Sequence, residues 1–188
     1  MARAARNLWT LDEFLAFDDG SDTRYELFQG EIVAMAPPAR AHVILTGRLA
    51  RIVGSALKPP CEVGTEAGIV PADHADSWYQ ADLVVTCSPG SPDDPFIAEP
   101  VVVIEVLSPS TAATDYLRKL PDYRAIPSVR HILLVSSTEP KVEHWRRTGN
   151  GWNVRDLGAE DTLRLEELGV AIGLRALYDG VLPLEGAT

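Results

Sequence analysis

Apolar positions recur along this chain with two periods, and the switches between them mark out the elements. Thr10-Leu-Asp-Glu-Phe14 predicts a short helix with Thr10 as its N-cap, Glu13 three residues on and apolar Phe14 and Leu15 behind. Tyr25-Glu-Leu-Phe28 and Glu31-Ile-Val-Ala-Met35 alternate about Gln29-Gly30, which predicts a hairpin ending before Pro37-Pro38. From His42 the spacing becomes helical, with Val43, Leu45, Leu49, Ile52, Val53 and Leu57 mainly on one face until Pro59-Pro60. Cys61–Val70 and Tyr79–Cys87 read as strands around a polar loop, and Ser88–Pro100 as a proline-rich surface loop. Val101–Leu107 is apolar nearly throughout, the mark of a central strand covered on both faces.

The second half continues in the same style. A helix is predicted over roughly Thr114 to Ala125, with Pro121 kinking it or delaying its start because proline lacks a backbone donor. Ile132–Val135 is a further buried strand. Lys141–Arg147 and Trp152–Leu157 form a hairpin about Gly149-Asn150-Gly151, and Leu163–Leu177 closes the chain with mixed pattern. The order of helix, hairpin, helix, strands, helix, strands predicts an α/β (α+β) fold, a central mixed β-sheet flanked by α-helices, in a single domain over 1–188.

Composition narrows the class. In 188 residues, 46% hydrophobic and 23% charged is the balance of a globular domain, not of a disordered chain. No apolar run reaches membrane-span length, and Met1–Asn7 has no apolar stretch behind its arginines, so no secretory signal is read and a cytoplasmic protein without membrane contact is expected. Cys61 and Cys87 lie in strand text at no metal-ligand spacing and are expected to be buried thiols, in preference to a disulfide. The net charge of −10 excludes a broadly basic DNA-coating surface while permitting a local nucleic-acid groove. Acidic residues crowd the N-terminal end and Arg130, Lys141, Arg146, Arg147 and Arg155 a later stretch, both read as solvated surface.

Two carboxylates depart from their surroundings. Glu105 stands among Val101-Val-Val-Ile-Glu-Val-Leu107, where an unpartnered charge would cost several kcal/mol, so it must be paired, protonated or bound to a cation. Asp82, at the head of Leu83-Val84-Val85, poses the same question. If their strands are neighbours the two acids converge, and paired oxygens suit Mg²⁺ or Mn²⁺ better than zinc. A cation so held suits phosphodiester hydrolysis, with a lysine to orient the attacking water. Position 107, which shares a face with Glu105, is a leucine; the nearest lysine is Lys119, one turn after Asp115. The competing reading makes Glu105 a structural acid satisfied by Arg118 or Arg124, and Asp115–Lys119 a surface pair.

The stretch Glu105-Val-Leu-Ser-Pro-Ser-Thr111, followed by Asp115, Lys119, Tyr123 and Ile126-Pro-Ser128, resembles a large bacterial family of restriction-type endonucleases. That family was long filed as a domain of unknown function and belongs to the PD-(D/E)XK nuclease superfamily. Tyr25-Glu26, Gly30-Glu31 with Met35, His42, Asp82 and Val142-Glu-His-Trp-Arg-Arg147 with Trp152 match as well, so the resemblance covers about Tyr25 to Leu157. It implies a restriction-endonuclease-like core with Asp82 and Glu105 as metal-binding acids, Lys119 as the displaced motif lysine, and Glu31 and His42 near the site. The competing reading of His42 is a cap on its own helix.

Two departures stand out: Ala81 replaces the proline before the first acid, and Asp115-Tyr-Leu-Arg-Lys119 lacks the family's Arg and Gly between acid and lysine. The resemblance therefore implies a Mg²⁺- or Mn²⁺-dependent DNA endonuclease. The alternative is a nuclease fold that has lost cleavage and acts in nucleic-acid binding or assembly. A homodimer is a further expectation, with Trp145, Trp152 and Tyr178 as interface candidates whose more ordinary fate is core burial.

Overall fold

The computed structural model describes residues 8–184 apart from 110 and 150. The Met1–Asn7 stretch, Ser110 of the Glu105–Thr111 signature and the turn residue Asn150 lie outside the described residues. Helix α1 (Leu11–Leu15) opens with the expected reciprocal cap: the Thr10 hydroxyl accepts from the Glu13 amide, and the Glu13 carboxylate accepts from the Thr10 amide. Strands β1 (Tyr25–Phe28) and β2 (Glu31–Ala34) pair antiparallel. Their turn uses Gln29 at φ 48° and Gly30 at φ 78°, the left-handed pair that matches the twist of a tight hairpin.

Among the described residues, six strands form the central sheet. They are β3 (Glu62–Ile69), β4 (Tyr79–Thr86), β5 (Pro100–Leu107), β6 (His131–Ser136), β7 (Lys141–Thr148) and β8 (Gly151–Gly158), adjacent in that order. Among the described residues β5 and β6 run parallel, joined by a helical crossover, and the other neighbours are antiparallel, giving the mixed sheet that the pattern predicts.

Helices cover both faces. Helix α2 (Arg40–Ala56) lays Leu45, Leu49 and Val53 against Leu83, Ile104, Val106 and Leu133. Burying each of these three side chains contributes about 1.5–3 kcal/mol. The same face is completed by β9 (Thr162–Leu165), a 3-10 turn, β10 (Val170–Gly173) and α5 (Leu174–Tyr178). Tyr178 is wholly buried, its hydroxyl donating to the carbonyls of Ser136 and Lys141. Trp145 and Trp152 are half-buried at the rim of the opposite core, under the guanidinium groups of Arg124 and Arg147.

That opposite face carries the crossover. It begins as α3 (Ala112–Thr114), widens into a π-turn over Asp115–Lys119 and resumes as α4 (Leu120–Ala125). The widening answers Pro121, whose ring has no N–H to give; upstream, the Leu120 amide reaches back five residues to the Asp115 carbonyl. The disturbance expected at Pro121 takes the form of this π-turn, after which α4 resumes with the proline in its first turn.

The expectation of two buried thiols is overturned. Cys61 and Cys87 form a disulfide. The reason is register: Glu62 pairs with Thr86 at the end of β3 and β4, so the two cysteines face each other at the next rung. Reduction is expected to lower stability by about 2–4 kcal/mol through the freed loop. Urea unfolding with and without a thiol reductant measures it, and an unmoved midpoint would show thiols to be the resident state.

Candidate active site

Strands β4 and β5 part company at their midpoints. Their pairing ends at Leu83↔Ile104, whereas β5 stays bonded to β6 as far as Leu107↔Ser136. The next positions outward are Asp82 and Glu105, and their side chains fill the gap that the strands leave. Asp82 Oδ2 accepts the Val106 amide at 2.6 Å, and Glu105 Oε2 accepts the Asp82 amide at 3.4 Å. Each acid thus satisfies a backbone donor of the other's strand region, where a ladder hydrogen bond would otherwise stand.

Glu105 is 3% exposed. Its Oε1 accepts from the Tyr123 hydroxyl at 2.6 Å and lies 3.4 Å from Lys119 Nζ. The same ammonium is 2.7 Å from Glu26 Oε1 and 3.5 Å from Asp115 Oδ1, so one cation serves three carboxylates. Glu26 reaches this cluster from β1 and also accepts the Gln80 amide of β4 at 2.9 Å. The π-turn brings Asp115 and Lys119 inward together, both 4% exposed.

The titration behaviour follows from this crowding. Burial pushes the Glu105 carboxyl well above the usual carboxylate range; Lys119 opposes the shift, while Asp115 and Asp82 add to it. Asp115 is raised as well, again chiefly by burial. Lys119 goes the opposite way from a lone buried amine. Burial disfavours its charge, but Glu105, Glu26 and Asp115 overcome that and hold the proton more firmly than in water.

Asp82 stands at the mouth of the cluster, with its side chain 20% exposed. His42 Nε2 lies 3.1 Å from Asp82 Oδ2. The histidine is the third residue of α2, whose N-cap is Ala39 with no side-chain cap bond, so His42 does not cap its helix. Asp82, Glu105, Lys119 and His42, with Arg24 and Glu66, line one cleft containing a cavity of about 160 Å³.

Four of the five residues expected at the site therefore converge. Glu31 does not: it pairs with Phe28 beside the hairpin turn and lines a different cavity, with Gln29, Arg118 and Asp122. Glu26, which received no role from the sequence, takes the inner position. The signal was present, since Glu26 interrupts the apolar Tyr25-Glu-Leu-Phe28 strand as Glu105 interrupts its own. Arg118 and Arg124, the alternative partners of Glu105, lie instead over the rings of Phe28 and Trp145.

A divalent cation can be tested against these groups. Among the described residues no set of three or more His, Cys, Asp or Glu is placed to hold a metal. Two carboxylates do face the cleft, and Asp82 Oδ1 makes no hydrogen bond among the described residues. A hard cation that keeps several waters and needs only one or two protein carboxylates, as Mg²⁺ does, fits this donor set. The surplus negative charge around Lys119 favours the same class of ligand.

Comparison with known proteins places these features in company. A family profile described as "Uma2: Putative restriction endonuclease" matches residues 11–176. The Synechocystis protein slr1290 is 30% identical over 173 residues, covering 90% of this chain and 91% of the relative. A second Synechocystis protein, sll1609, is 27% identical over 172 residues, covering 86% and 94%. A crystal structure described as "a putative nuclease belonging to DUF820", from Anabaena variabilis, superposes with a TM-score of 0.72 at 19% identity, covering 90% of this chain and 97% of that chain. At that identity the likeness is one of fold.

The raised Glu105 carboxyl has a consequence for stability. Between the ordinary value of 4.5 and its raised native value, the folded state binds more protons than the unfolded state. Metal-free protein should therefore lose stability as pH rises through that window. Glu105→Gln should flatten the fall while keeping an acceptor for Tyr123. Melting temperatures in EDTA from pH 4.5 to 8 read this out, and parallel curves for the two proteins would refute it.

Proposed function

Because the chain belongs to the Uma2 family, described as putative restriction endonucleases, we propose that it is a Mg²⁺- or Mn²⁺-dependent endonuclease hydrolysing phosphodiester bonds in DNA. The observation that carries this reading is the meeting of Asp82 and Glu105 where two core strands part, with Lys119 against Glu105 at the floor of an open cleft. Asp82 and Glu105 are the residues that would hold the metal. When bound there, the cation would polarise a phosphoryl oxygen and make water more acidic.

The chain's own groups divide the remaining work. Lys119 keeps its proton, so it acts as a donor and fixed positive charge and not as a base. It holds Glu105 in one orientation and directs the attacking water toward phosphorus. Tyr123 fixes the same Glu105 oxygen from the other side, which leaves Oε2 facing Asp82. His42 and the Val106 amide both engage Asp82 Oδ2, which leaves Oδ1 for a cation. Glu26 and Asp115 keep the lysine charged and in place.

Incubation of the purified protein with plasmid DNA and Mn²⁺ tests the reading. Cleavage is expected, with Glu105→Gln and Asp82→Asn inactive and Lys119→Met slowed by roughly 10²–10³-fold. Calorimetry should find Mn²⁺ bound by the wild type and not by the double variant of the two acids. Cleavage that persists in Glu105→Gln would sink the site assignment, and an absence of Mn²⁺ binding would favour a nuclease fold retained for nucleic-acid binding alone.

A further inference from the structure

The cleft is short of positive charge for a ligand made of phosphates. Among the described residues that line it, the lysine and arginine side chains are Lys119 and Arg24. Lys119 lies at the floor, its charge already shared among three carboxylates. Arg24 sits at the rim, half exposed, just ahead of the strand that delivers Glu26. Through Nη1 it meets Glu66, and its guanidinium makes no other hydrogen bond among the described residues.

Glu66 is itself unusual. It lies within β3 between the pairs Thr65↔Leu83 and Ala67↔Ala81, and so opposite Asp82, yet its φ is +53°. A glutamate seldom adopts the left-handed region, and least often inside a strand. That backbone places a carboxylate at the cleft rim, opposite Arg24. Both members of the pair are well exposed, and an exposed ion pair is worth little in water.

We propose that Arg24 is the phosphate-binding residue of this cleft, and that Glu66 is its exchangeable partner in the free protein. An incoming phosphodiester takes the guanidinium fork that Glu66 releases, since arginine binds phosphate through paired donors in a fixed plane. Arg24 is thus a positioning residue that holds the backbone of the nucleic acid over Asp82 and Glu105. The assignment rests on the nuclease reading above, but it is measured by binding and not by cleavage.

The probe is a fluorescein-labelled DNA duplex, followed by anisotropy in Ca²⁺, a hard oxygen-seeking cation, over a series of salt concentrations. Arg24→Gln is expected to weaken binding roughly tenfold and to reduce the slope of log affinity against log salt by about one, as loss of one phosphate contact does. Glu66→Gln, which frees the guanidinium without removing it, is expected to tighten binding. The two variants move in opposite directions, which a shared folding defect would not produce. Wild-type binding with Arg24→Gln unchanged in affinity and slope would overturn the role of Arg24 and leave the nuclease reading intact. A wild type that neither binds nor cuts DNA would overturn both.

Discussion

The ammonium of Lys119, enclosed by Glu26, Glu105 and Asp115, is the contact on which the arrangement of this molecule turns. Buried ions are expensive to desolvate, and removing one partner is worse than never having buried the set. Each carboxylate comes from a different part of the chain: the N-terminal hairpin, the central strand and the crossover helix. Loss of the lysine charge would leave three acids facing one another in an apolar core, and the raised Glu105 and Asp115 carboxyls show how near that limit the cluster already stands. The cluster therefore fastens the small β1–β2 hairpin to the large sheet, helped by the Leu27–Trp78 bridge.

Geometry around that contact is set by two departures from regular structure. The first is the π-turn. An unbroken α-helix from Ala112 to Ala125 would set Pro121 against the carbonyl of the preceding turn, and the wider turn removes that conflict while turning Asp115 and Lys119 toward the sheet. The second is the divergence of β4 from β5. Backbone donors lose their ladder partners there, and Asp82 and Glu105 take them up. A gap in a sheet is ordinarily a weakness. Here it makes room for a cleft between two strands without leaving buried polar groups unmatched.

Much of this was legible in the sequence because burial and charge are incompatible unless something reconciles them. Glu105 within an apolar strand requires a partner, and with leucine at position 107 the nearest lysine in sequence is Lys119. The same rule applied to Glu26, but a four-residue strand in a small hairpin carries too little pattern to show that one of its faces is buried. Glu31, two positions past the start of the turn, looked equivalent and lies elsewhere. Pro121 signalled a disturbed helix; which disturbance depended on the sheet beneath it. The disulfide was hidden for another reason. Cys61 and Cys87 become neighbours only through the register of β3 and β4, and a shift of one residue would have parted them.

The charge distribution bears on the order of events in such a site. With Asp82 at the mouth and three carboxylates around one ammonium behind it, the cleft repels a phosphodiester until some of that charge is neutralised. A divalent cation at Asp82 and Glu105 would reduce the repulsion and lower the Glu105 carboxyl back toward its ordinary range, since opposite charge favours the ionised form. Cation and nucleic acid would then bind cooperatively, each raising the affinity for the other by the same factor. The acidic balance of the whole chain supports that dependence, because little surrounding positive charge stands ready to hold the polymer by itself. The net charge of −10, which permits a local nucleic-acid groove, is compatible at the level of the cleft with a polymer that would enter together with a cation.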